Sequence, residues 1–292
     1  MSRFDSILLG DNPFFGVDHL SQERARKKAS ISQNLHNALQ IIDYSYKLGV
    51  RGMVVSTHPT LKDLICLIKT ESDLIDKIEF YPILPYAQGY VLKINEMGLL
   101  NTIMDTLSPA GIVNKMKIIT SGSLGMIKKD LFKLFQTFID IELLQLTNVR
   151  INTVFLHDVV TDLALALNMK QVFQVFQEHL NNRNINAGLV TKNFPLLVSK
   201  LNEWDLDYKY IMTSFNKAGF QMNPSKQECE NTLNIYKGNV IAMSILAGGF
   251  VSLQDAYEYI LAQPKIRNLV IGLSSIQHAK DTFGIFLNKT NP

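Results

Sequence analysis

The chain is poor in cysteine, has a single tryptophan, and carries neither a long apolar run nor an excess of one charge. Each lack narrows the field. Cys66 and Cys229 are the only cysteines in 292 residues, and neither has a CxxC partner. That argues against a disulfide framework and against a cysteine zinc site, and predicts a reduced, intracellular protein. No apolar stretch approaches the ~18 residues needed to cross a bilayer. The opening Met-Ser-Arg-Phe-Asp lacks the apolar core of a secretory signal, so the expected location is the cytoplasm. Basic residues number 29 and acidic residues 26, for a net charge of +3. The two signs are interspersed, which does not suggest a nucleic-acid partner. The densest basic cluster, Arg24, Arg26, Lys27 and Lys28, reads as a solvated helix face. No Pro/Gly/Ser-rich linker and no short repeat divides the chain, so residues 1–292 are read as one domain.

What is present is apolar and regularly punctuated. Hydrophobic residues make up 47% of the chain, enough for a sizeable core. Short apolar runs occur at Ile7–Gly10, Gly52–Ser56, Ile78–Leu84, Met116–Thr120, Asn152–His157, Ile185–Thr191, Tyr210–Phe215, Val240–Ile245 and Leu269–Leu273. Most are nearly continuous, the pattern of strands covered on both faces. Longer amphipathic stretches separate them, including Asn34–Leu48, Lys129–Leu146, Leu163–Leu180 and Gln254–Leu261. Repeated strand–helix units predict a parallel sheet, and the length suits an α/β fold of the (β/α)8 TIM-barrel type, which runs to about 250 residues. Nine strand segments compete for eight places, so an inserted unit is expected within residues 72–125.

In such a barrel the active site gathers at the C-terminal ends of the strands. The residues there are rich in polar groups. Asp11 and His19 follow the first strand, and Thr57 and His58 the second. Tyr86 follows the third, Ser121 and Ser123 the fourth, and His157 and Asp158 the fifth. Thr191, Lys192 and Asn193 end the sixth, Ser214 and Asn216 the seventh, Ser244 the eighth, and Ser274 and Ser275 the last. His157 closes the run Val-Phe-Leu-His, where an imidazole can polarise a carbonyl or move a proton. Asp11, His19, His58, His157 and Asp158 could instead gather as a metal site, although no compact HExxH-like spacing supports one, and no metal is expected. Lys192 would suit Schiff-base chemistry only if desolvated. Gly272, Ser274 and Ser275 form a small-residue turn between a strand and a helix, where free N–H groups and the positive helix end suit a phosphate.

In order along the chain, these strand ends resemble those of the aldo/keto reductase superfamily. Leu8-Leu-Gly10 through Gly16 is similar to the family's opening strand and loop. Leu48-Gly-Val50 resembles the approach to its second strand, and Val154-Phe-Leu-His157 the strand ending in its pocket histidine. Ala187-Gly-Leu-Val-Thr-Lys-Asn-Phe194, Phe215-Asn216, Ala242-Met-Ser-Ile-Leu-Ala-Gly-Gly249 and Val270-Ile-Gly-Leu-Ser-Ser275 resemble the later stretches that line its cofactor site. The resemblance implies a NADP- or NAD-dependent oxidoreductase acting on a small-molecule carbonyl or hydroxyl. It implies His157 at the substrate oxygen and Gly272, Ser274, Ser275, Thr191, Asn193 and Ser244 around the cofactor.

The family's Asp–Tyr–Lys–His tetrad is matched only at His157. Where the family reads DTAxxYG, this chain has Met53-Val-Val-Ser-Thr-His-Pro59, and at the lysine position it has Pro82-Ile-Leu-Pro-Tyr86. His58 or Tyr86 would then have to supply the proton. The alternative is a non-redox barrel enzyme, a lyase, isomerase or hydrolase. It would hold a substrate phosphate at the closing turn and use Asp11, His58 and His157. A catalytically inactive ligand-binding relative is the third reading.

Overall fold

The computed structural model describes residue 4 and residues 6–15, 31–86 and 124–287. Eight parallel strands form the scaffold: β1 (Ser6–Gly10), β2 (Gly52–Ser56), β3 (Glu79–Leu84), β4 (Thr153–Leu156), β5 (Asn186–Thr191), β6 (Tyr210–Ser214), β7 (Asn239–Met243) and β8 (Asn268–Gly272). Each pairs with its sequence neighbours, and β8 pairs back onto β1, so the sheet closes on itself. This is a closed (β/α)8 barrel, as the alternation of strand and helix patterns predicts. A two-residue bridge, Arg150–Ile151, pairs with the start of β3 just before β4 pairs with its end. The two pieces act as one stave interrupted at Asn152.

The nine-against-eight conflict is settled by this ring. Eight of the predicted segments fall within two residues of the observed strands. β3 pairs directly with β4, so the ring is complete without Met116–Thr120, which lies outside the described residues. Also outside them are His19, Ser121, Ser123, Gly16 and the basic cluster at Arg24, Arg26, Lys27 and Lys28.

Helices follow the strands: α1 (Ile31–Lys47), α2 (Leu61–Glu71), α3 (Leu124–Leu143), α4 (Asp158–Ala166), α5 (Lys170–Asn181), α6 (Phe194–Trp204), α7 (Lys226–Ile235), α8 (Leu253–Leu261) and α9 (Ile276–Phe286). Strand side chains alternate between two cores, because successive residues point to opposite faces. The outward set, with Leu9, Met53, Phe80, Leu156, Leu189, Ile211 and Leu269, packs against the helices. The inward set, Leu8, Val54, Phe155, Val190, Met212 and Ile241, fills the lumen. Two glycines make this filling possible. A Cβ on Gly188 would lie 2.5 Å from the Phe155 ring, and one on Gly52 would lie 2.5 Å from Leu8 and 2.7 Å from Tyr81. Among the described residues no helix is long and apolar enough to cross a membrane.

Candidate active site

The C-terminal rim begins at the β1 end with Asp11, 4% exposed. Its Oδ2 accepts hydrogen bonds from Ser56 N at 2.6 Å and Ser56 Oγ at 2.9 Å, tying the first loop to the end of β2. Burial raises the Asp11 carboxyl to about 7 despite these two bonds. The group therefore exchanges a proton in the neutral range, which suits general acid–base work.

Next on the rim stands an aromatic cluster. Phe15 stacks on His58 with centroids 4.9 Å apart, and Tyr86 meets His58 edge-on at 5.0 Å. Thr60 N donates to His58 Nδ1 at 3.1 Å, which leaves the ring proton on Nε2. Burial lowers the His58 pKa, so the ring stays neutral. Tyr86 moves the other way: burial, and then the Asp11 charge, raise its phenol. A phenol made more reluctant to ionise is a poorer proton donor, opposite to what the resembled family's tyrosine requires. Behind this cluster a residue without a sequence signal appears. Glu142, buried on α3, accepts from Thr57 Oγ1 and from Tyr86 N.

The rim continues through His157, whose N–H donates to Leu84 O at 2.7 Å. His157 is the N-cap residue of α4. Its Nδ1 lies 2.6 Å from Asp158 Oδ1, and Lys192 Nζ lies 3.0 Å from Asp158 Oδ2. Burial pushes the Asp158 carboxyl up, but His157 and Lys192 outweigh it and hold the group well below the usual carboxylate range. Lys192 is thus a paired counter-ion, not the desolvated lysine of Schiff-base chemistry. Asp162, one turn on, accepts from Thr191 Oγ1 and from Lys192 N. Burial raises the Asp162 carboxyl, and the Asp158 charge adds to the rise.

The other side of the rim, from β5 to β8, is made of small hydroxyl and amide residues. Asn193 caps α6 through Leu196 N, and Ser275 caps α9 through His278 N at 3.1 Å. Ser274 Oγ lies 2.8 Å from His278 Nδ1. Gly272 has Pro13 against it, 3.1 Å from where a Cβ would stand. Ser244 takes a left-handed φ of 54° and its carbonyl accepts from Ala247 N. Thr191 is fully buried on the outer face of β5, bonded to Asp162, and so faces the helix layer and not the mouth. Asn216 is also internal, stapling its loop through Phe220. Ser214 is different. It is fully buried at the end of β6, on the inward face, and its Oγ has no hydrogen-bond partner. Buried hydroxyls normally find one.

The structure thus brings Asp11, His58 and Tyr86 together, and links His157 to them through the β3–β4 pairing. Sequence reasoning placed these four correctly at strand ends but could not see what each side chain bonds. It missed Asp162 and Glu142 as rim groups because both lie on helices. Among the described residues no three His, Cys, Asp or Glu side chains gather to hold a metal ion.

Comparison with known proteins matches the architecture. An assigned aldo-keto reductase of Pseudomonas aeruginosa superposes with a TM-score of 0.62 at 12% identity, covering 98% of this chain and 90% of its own. The holo form of a Bacillus halodurans aldo-keto reductase gives 0.56 at 12% identity over 99% and 88%. A thermostable aldo-keto reductase bound to the inhibitor epalrestat gives 0.54 at 12% identity over 97% and 90%. No family model and no curated protein matches the sequence. The fold is that of the aldo-keto reductases, over nearly the whole chain.

Proposed function

We propose that the chain is an oxidoreductase that uses a nicotinamide nucleotide to interconvert a small-molecule carbonyl and hydroxyl. The observation that carries this reading is the division of the rim. Titratable groups (Asp11, His58, His157, Asp158) cluster on the β1–β4 side, and the β5–β8 side, apart from Lys192 and His278, presents small hydroxyl residues and helix N-termini, on a barrel of this fold. A nucleotide fits the second side. The Ser274–Ser275 turn opens onto the N-terminus of α9, where the helix dipole favours phosphate. Ser214 offers a buried hydroxyl with no internal partner. Bound there, the nicotinamide would supply the hydride chemistry.

This chain's own residues supply the rest. His157 meets the substrate oxygen at the mouth. His58, neutral and protonated at Nε2, is a hydrogen-bond donor held flat by Phe15. Asp11 holds or releases the proton in place of the missing tyrosine, since its carboxyl titrates near neutrality. Positioned acid–base groups of this kind are worth about 10²–10⁴ in rate.

The test is binding of NADPH, followed by its own emission, because Trp204 lies buried against Phe173 on the α6 helix and is a poor reporter. Saturation at micromolar NADPH, weakened at least tenfold in Ser274→Asp, is the expected result. Absence of binding at millimolar NADPH sinks the reading. His157→Ala should abolish turnover while leaving NADPH affinity unchanged.

A second reading keeps one observation in its favour: Asp11, its carboxyl raised to about 7 by burial, is an acid–base group without any cofactor. A lyase, isomerase or hydrolase acting on a phosphorylated small molecule would then use the same turn for the substrate phosphate. Stabilisation by sugar phosphates but not by NADPH in a thermal-shift series would select it.

A further inference from the structure

His58 and His157, the described histidines on the β1–β4 side of the rim, are held in opposite tautomers. For His58 the assignment is direct, because Thr60 N–H points at Nδ1 and can only donate. For His157 two neighbours compete for Nδ1. Val159 N lies 3.2 Å away and would donate to it. Asp158 Oδ1 lies 2.6 Å away and would accept from it. Both cannot hold, since one nitrogen cannot accept and donate at once in a neutral ring.

Three observations decide for Asp158. A lone pair facing a carboxylate oxygen at 2.6 Å would be repulsive, so that contact requires a proton between the atoms. Val159 N–H has a nearer acceptor in Asp158 Oδ1, at 3.0 Å. Lys192 on Oδ2 keeps the carboxylate charged, and a hydrogen bond to a charged acceptor is about twice as strong as a neutral one. Asp158 is then fully satisfied, with His157 and Val159 on one oxygen and Lys192 on the other.

We infer that Asp158, with Lys192 behind it, is a positioning residue that holds a proton on His157 Nδ1, so that the singly protonated ring presents Nε2 as a hydrogen-bond acceptor. A neutral imidazole so held cannot donate to a carbonyl oxygen. It accepts from a hydroxyl. The ligand chemistry favoured at His157 is therefore a small alcohol, with the donor role left to His58. This inference rests on reading the rim as a substrate site, but its test does not depend on nicotinamide binding.

The test is long-range ¹H–¹⁵N spectroscopy of ¹⁵N-histidine-labelled protein at about pH 8, with His157 assigned by its loss in His157→Ala. The wild type should show His157 protonated at Nδ1 and His58 at Nε2. A wild-type His157 protonated at Nε2 overturns the proposal without any variant. Asp158→Ala should hand Nδ1 to Val159 N–H and move the proton to Nε2, and an unchanged tautomer in that variant removes Asp158 from the role. Addition of benzyl alcohol at millimolar concentration should shift the His157 Nε2 resonance in wild type, and benzaldehyde should not. The reverse order overturns the alcohol preference. NADPH binding, measured separately, reports on the oxidoreductase reading alone.

Discussion

The Asp11 carboxyl is almost wholly enclosed, and two bonds from Ser56 do not compensate for the water it has lost. Its ordinary value is 3.8 and its value in the fold is about 7. Between these the folded chain keeps a proton that the unfolded chain has released. Stability therefore falls as pH rises through that window and levels off above it. Asn in place of Asp mimics the neutral form and can still accept from Ser56. Asp11→Asn should gain on wild type by about 2 kcal/mol between pH 5 and pH 8, read from urea midpoints at each pH. A gap that does not change with pH would show that the carboxyl ionises at its ordinary value. Sequence position alone placed Asp11 at a strand end. Its proton affinity was not legible there, because it depends on enclosure by residues distant in the chain.

At the scale of elements, the same distinction recurs. The strands were legible to within two residues because covered strands are apolar throughout. The roles of the polar residues that follow them were not. His157, Asn193 and Ser275 sit at the barrel mouth as predicted, yet each also occupies the N-cap position of the helix it precedes. A strand-end residue in this fold is by construction a helix-start residue, so one sequence pattern answers two demands. For Ser275 the structural demand has a measurable size. Ser275→Ala should cost about 1 kcal/mol through loss of the bond from His278 N, seen as a lowered Tm without ligand. Ser275→Asp, which keeps a capping acceptor, should restore that stability and still weaken NADPH.

For the whole molecule, closure between β3 and β4 is the join between consecutive strands that spans the longest intervening stretch of chain. Below the mouth it is fastened by Glu79, which accepts from Asn152 Nδ2 at 2.9 Å and Tyr81 Oη at 3.2 Å and faces Arg150 at 3.3 Å. Conserving neither charge nor length there leaves two half-buried donors unpaired. Glu79→Ala should lower unfolding free energy by about 1–2 kcal/mol, and Glu79→Gln by less, in denaturant titrations. Equal losses would show that charge, not hydrogen bonding, fastens the join. The ring itself was legible from the count of strands, and the surplus segment resolved only when β3 was seen paired to β4.

The Phe155 ring, seated on Gly188 in the lumen, has a consequence for what the mouth can hold. With Leu8, Val54, Val190, Met212 and Ile241 it forms a solid floor just beneath the rim. A ligand at this mouth would therefore lie across a dish, with Phe15, His58 and Tyr86 along one edge, since it could not descend a shaft.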